Sequence, residues 1–167
     1  MLITAILCQS YIFSLSYFYT CVNLNLQMTI NIRNLELEGK NIVIVEDDLP
    51  SIKYYETLLK NSGADVKIFH NGKEFVDYIN NTNSNIDLIF MDFLIPLING
   101  IECIRIFRKS RKETPVIMIT AYSSEQAKTE AYIAGCHEYV LKPIYPEKIF
   151  FLLEKYLRIK TPISSTY

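Results

Sequence analysis

From Leu35 onward the apolar residues fall into short runs that switch between two periods. Asn41–Val45 (NIVIV) is a continuous apolar run that stops at Glu46, Asp47 and Asp48, the pattern of a strand buried on both faces. Leu49–Asn61 follows with apolar residues at 52, 55, 58 and 59, which is one helix face, with Pro50 in the first turn and Gly63 as the stop. Asp65–Phe69 (DVKIF) alternates like a strand near a sheet edge, and Asn71-Gly72 predicts a turn. Lys73–Asn80 predicts a helix with Phe75, Val76 and Ile79 inward, and the polar run at 80–85 a loop. Ile86–Met91 is a second buried strand and ends at Asp92. Asn99-Gly100 opens a helix from Ile101 to about Arg108, and Pro115–Ile119 is the next buried strand. Ser123 and Ser124 cap a helix running to Ala134 with Gly135 as its stop. Glu138–Leu141 is the last strand, and Pro146 starts a helix to about Leu157.

Five strands alternating with five helices imply parallel pairing and a doubly wound α/β sheet with helices on both faces. A division follows: an apolar N-terminal segment over 1–36, one globular domain over 37–160 and a tail over 161–167. In such sheets ligands sit beyond the carboxyl ends of the strands, where strand order reverses.

Composition alters this picture in one place. Residues 1–32 contain no Asp, Glu, Lys or Arg. Three readings stay open: a membrane segment over about residues 1–24, diluted by Ser, Thr, Gln and Asn; a secretory signal lacking its basic start; or non-native sequence, either an upstream start codon with Met28 as the true start or the remnant of a preceding domain. Elsewhere the chain is ordinary for a globular domain, with a net charge of -1. The basic group Arg105, Arg108, Lys109, Arg111 and Lys112 has the spacing of a solvated helix face, so no nucleic-acid partner is expected. Cys8, Cys21, Cys103 and Cys136 form no CxxC and no ligand spacing with His70 or His137. A reducing, cytoplasmic location fits, with membrane tethering if the first segment is native.

The chemistry lies at the strand ends. Strand one delivers Glu46 and Asp47, strand three Asp92, strand four Thr120, and strand five Lys142 followed by Pro143. Carboxylates gathered at one rim repel unless a cation joins them. Mg²⁺ suits oxygen donors, Lys142 adds a point charge, and Thr120 offers a hydroxyl donor. The set is that of a phosphoryl-transfer site, with a carboxylate to attack. Asp48 reads as a helix cap only.

The segments NIVIVEDD, LIFMDFLIPLING, PVIMITAY and AGCHEYVLKPI, in this order, resemble the signature segments of response-regulator receiver domains over about residues 40–157. The leader LEGKNIVIVEDD is similar to receivers at the end of hybrid sensor histidine kinases. The resemblance implies a five-stranded sheet of order 2-1-3-4-5. It implies Asp92 as phosphoacceptor, Glu46 and Asp47 as the acid pair for Mg²⁺, and the Leu94 backbone carbonyl as a further metal ligand. It also implies Thr120 as switch hydroxyl, Tyr139 as switch aromatic and Lys142 as the lysine that pairs with the phosphoryl group. The implied partner is a histidine kinase or phosphotransfer protein, with a homodimer through the fourth helix, fifth strand and fifth helix as a further expectation. The domain would be a signalling phosphoacceptor and no turnover enzyme. The alternative is a degenerate receiver that acts as an interaction module without phosphorylation.

Two rival classes fare worse. A dehalogenase-type phosphohydrolase needs a second acid two residues beyond its nucleophile, where this chain has Leu94. A flavin-binding flavodoxin-like domain wants Gly, Ser or Thr in the first strand-helix loop, where this chain has three acids. Leu94 and Tyr122 cannot orient an attacking water, so slow self-hydrolysis of a phosphorylated Asp92 is expected.

Overall fold

The computed structural model describes residues 36–82 and 84–158. The expectations for the N-terminal segment up to residue 35 and for the tail lie outside the described residues. No helix among the described residues is long and apolar enough to cross a membrane.

The strands are β1 (Asn41–Val45), β2 (Asp65–Phe69), β3 (Leu88–Met91), β4 (Val116–Thr120) and β5 (Glu138–Leu141). The helices are α1 (Leu49–Leu59), α2 (Gly72–Asn81), α3 (Gly100–Arg108), α4 (Glu125–Ala134) and α5 (Pro146–Leu157). All pairings are parallel and the order is β2-β1-β3-β4-β5. The doubly wound α/β fold and its strand order are therefore as expected.

The pleat divides each central strand between two cores. Val43, Val45, Ile89, Met91, Val116 and Met118 join Phe75, Ile104, Phe107 and Ala131 of α2, α3 and α4 on one side. Ile42, Ile44, Leu88, Phe90, Ile117 and Ile119 meet Tyr55, Leu58 and Leu153 of α1 and α5 on the other. Each buried aliphatic of this size contributes roughly 1.5–3 kcal/mol. A slip of one residue would send each side chain into the opposite core, so packing on both faces fixes the register. That register sets which strand ends stand side by side.

Helix starts follow local chemistry. Asp48, Asn71, Asn99 and Ser124 each accept a backbone N–H of the first turn. Several sequence expectations shift, and the strand expected from Ile86 begins at Leu88. Asn71-Gly72 is the start of α2, with Asn71 as its cap, because the Asn71 side chain bonds the Glu74 N–H at 2.9 Å. Gly63 does not stop α1, which ends at Leu59; Gly63 serves the following turn with φ +81°. The fourth strand begins at Val116 and includes Thr120.

Candidate active site

β1, β3 and β5 carry the three residues that meet. Lys142 Nζ donates to Glu46 Oε2 at 2.7 Å and to Asp92 Oδ2 at 2.6 Å. Glu46 is 2% exposed and Asp92 8% exposed, so two carboxylates are buried at one rim. β1 and β3 are neighbours, but β5 lies beyond β4, and the long lysine side chain closes that distance. The Lys142–Pro143 peptide is cis.

The electrostatics follow from burial. Burial pushes the Glu46 carboxyl up to about 7, outweighing the lowering effect of its bond to Lys142. For Lys142 burial opposes the charge, but the bonds to Asp92 and Glu46 prevail and raise its pKa. The ammonium is thus held charged between two acids. Asp92 Oδ1 accepts the Leu94 N–H at 3.1 Å, which leaves Asp92 oriented from both sides.

The remaining expected residues stand around this centre. Asp47 is exposed at the end of β1. Thr120 is fully buried at the end of β4, and its Oγ1 accepts the Tyr122 N–H at 3.2 Å. Tyr139 Oη donates to the Tyr122 carbonyl at 2.5 Å, so the ring is tied to the β4–α4 loop. The structure brings Lys142 into direct contact with both Glu46 and Asp92 and ties Thr120 to Tyr139 through Tyr122.

The donors fit a hard divalent cation in type: two buried carboxylates that already require a positive partner, an exposed third acid, and backbone beside Asp92. Among the described residues no three His, Cys, Asp or Glu side chains are gathered as a metal cage. Mg²⁺ needs no such cage, because it keeps several waters and uses one or two carboxylates.

Sequence reasoning missed two features. Gly100 packs directly on the Asp92 backbone, where an added Cβ would lie 2.2 Å from the Asp92 carbonyl oxygen. The sequence offered only a helix-opening Asn-Gly, which carries no sign of this contact. Phe93 and Tyr122 stack at 5.1 Å between ring centroids, covering the rim beside Asp92 and Thr120. Two aromatics each next to or near a strand end could have suggested that pairing. The thiols take no part: burial pushes Cys103 up to about 12 and Cys136 up to about 11.

A groove of about 510 Å³ adjoins Lys142 and is lined by Pro50, Ser51, Tyr54, Tyr55, Pro143 and Ile144. It opens beside the acidic centre, and its walls come from α1 and the loop before α5.

The response regulator receiver domain profile matches residues 42–154. The chain is 33% identical over 119 residues to hybrid signal transduction histidine kinase M of Dictyostelium discoideum, covering 68% of this chain and 5% of that protein. The receiver domain of the Francisella response regulator 1452 superposes with a TM-score of 0.64 at 28% identity, covering 73% of this chain and all of that one. The receiver domain of sensor histidine kinase PA1611 from Pseudomonas aeruginosa, solved with magnesium in its active-site cleft, has a TM-score of 0.64 at 24% identity and covers 72% of this chain and 99% of that one. Other curated relatives are named as response regulators and transcriptional regulatory proteins, and the chain spans about half their length. With matching segments in order along a sheet of the expected topology, the chain belongs to the response regulator receiver domain family of two-component signalling.

Proposed function

We propose that this domain accepts a phosphoryl group on Asp92 from the phosphohistidine of a histidine kinase or phosphotransfer protein. The observation that carries the reading is the Lys142 ammonium held 2.6 Å from Asp92 and 2.7 Å from Glu46. In the proposed step an Asp92 carboxylate oxygen forms a bond to phosphorus, the N–P bond breaks, and its electron pair stays on the donor imidazole. Lys142 faces the oxygens where negative charge collects, and the Leu94 N–H orients the attacking carboxylate. Glu46 and Asp47, with Asp92 and the Leu94 carbonyl, would hold Mg²⁺, which supplies charge neutralisation for the transferring group. The domain promotes its own modification and turns over no other substrate.

Phosphorylated Asp92 would carry about -1.5 to -2 charges in place of one. Thr120 would turn toward it, releasing its contact with the Tyr122 N–H, and Tyr139 would leave the Tyr122 carbonyl and move inward. The face of α4, β5 and α5 would then change. Ile133, Tyr132, Leu141 and Phe151 are exposed on these elements and suit a partner surface, a second copy included.

The test is acetyl phosphate with Mg²⁺ followed by intact mass. The expected result is one phosphoryl adduct in the wild type and none in Asp92→Asn. No adduct in the wild type, or an equal adduct in Asp92→Asn, overturns the reading.

A further inference from the structure

Tyr122 stands in the loop between β4 and α4, and three contacts hold it. Its N–H donates to Thr120 Oγ1 at 3.2 Å. Its carbonyl accepts Tyr139 Oη at 2.5 Å. Its ring stacks on Phe93, with 5.1 Å between centroids and 22° between planes. The first two contacts involve residues that move in the proposed reaction. The third involves a residue with no part in that movement.

Phe93 is fixed from its own side. It follows Asp92 directly, and its carbonyl accepts the Gly100 N–H at 3.0 Å, at the first residue of α3. Its half-buried ring packs against the core on the side of α2, α3 and α4. Tyr122 is 42% exposed on a loop without regular structure, so the stack sets where its ring sits. Thr120 makes that position matter. Its hydroxyl is fully buried, where loss of a hydrogen-bond partner is costly, and the Tyr122 N–H is its partner. Turning toward a phosphoryl group on Asp92 takes the Thr120 oxygen away from that N–H. Whatever keeps Tyr122 in place therefore favours the resting arrangement.

We infer that the Phe93–Tyr122 stack is a latch on the resting form. Phe93 is a positioning residue that holds Tyr122 where its N–H meets Thr120, a role that rests on Asp92 being the phosphoacceptor and Thr120 its switch. A stacked aromatic pair is worth roughly a two- to tenfold factor in an equilibrium. With the switched form in the minority and more reactive, the phosphorylation rate scales with its population. Loss of the stack raises that population by the same factor.

Two measurements on the full chain test this: the initial rate of adduct formation with acetyl phosphate and Mg²⁺, and amide exchange without phosphate, read by NMR. Phe93→Ala should raise the rate roughly two- to tenfold. It should speed exchange of the Tyr122 N–H by a similar factor and leave Ile117, inside β4, unchanged. Phe93→Tyr keeps a stacking ring and should match the wild type in both. Tyr122→Ala removes the stack from the exposed side and should raise the rate as Phe93→Ala does. It decides the matter if Phe93→Ala does not fold. A ring that only stabilises the fold would speed Ile117 and Tyr122 alike, and that result overturns the latch. A folded Phe93→Ala with an unchanged or slower rate also overturns it, and in a wild type that forms the adduct it leaves the reading of Asp92 standing. A wild type that forms no adduct removes that reading and the latch with it.

Discussion

Lys142 donates to Glu46 and Asp92 at once, so one ammonium joins the first, third and fifth strands of the sheet. The lysine side chain is 21% exposed, while the two acid side chains are 2% and 9% exposed. Its removal leaves two buried carboxylates facing each other without a cation. Lys142→Ala should therefore lower stability by about 1–3 kcal/mol at pH 8. Adding Glu46→Gln to Lys142→Ala should recover most of the loss. Urea midpoints of the three variants measure this, and a double variant no better than the single one contradicts it.

Glu46 gives stability a pH dependence of unusual sign for an acid. Its pKa is raised from 4.5 to about 7 by burial, so the folded state binds this proton more tightly than the unfolded state. Its contribution is unpenalised below pH 4.5, and stability falls as pH rises from there to about 7. Glu46→Gln removes the effect. The variant should be more stable than wild type at pH 8, by up to about 2–3 kcal/mol, with the difference shrinking toward pH 5. Thermal midpoints across that range decide it.

The sheet and four of the five helix starts were legible because their patterns are local: apolar runs that stop at acids, Asp, Asn or Ser before three helices, and Pro146 opening the last. Asp92 and Lys142 were legible for the same reason, as polar residues where a strand ends. The Lys142 contact with Glu46 was not, since nothing in a sequence says how far a lysine reaches across a sheet. Nor was Gly72 as the first residue of α2, since Asn-Gly serves equally as turn and as cap.

Gly100 has no room for a side chain because the Asp92 carbonyl oxygen fills the space. Gly100→Ala should cost about 1–3 kcal/mol and displace the Asp92 backbone. It should also slow phosphorylation by acetyl phosphate under conditions where the variant is still folded. A fully folded Gly100→Ala with unchanged phosphorylation rate would show that Asp92 tolerates the shift.

Leu94 is 58% exposed and Tyr122 42% exposed at the rim of the site, with Tyr122 stacked on Phe93. Neither side chain can hold a water in line with a phosphoryl group on Asp92. Leu94→Asn supplies such a group and should shorten the lifetime of the phosphorylated form severalfold, measured as loss of the adduct after removal of acetyl phosphate. An unchanged decay rate rules out this account of the lifetime.

Glu46 and Lys142 are 96 residues apart in sequence, and their bond spans the sheet from its second strand position to its last. The acid end of the site is made early in synthesis and the basic end late. A nascent or partly unfolded chain holds the acids without their counter-charge, and in the proposed reaction competence would arrive only when the fifth strand docks. An unfinished chain therefore lacks the cation that the proposed phosphoryl transfer requires.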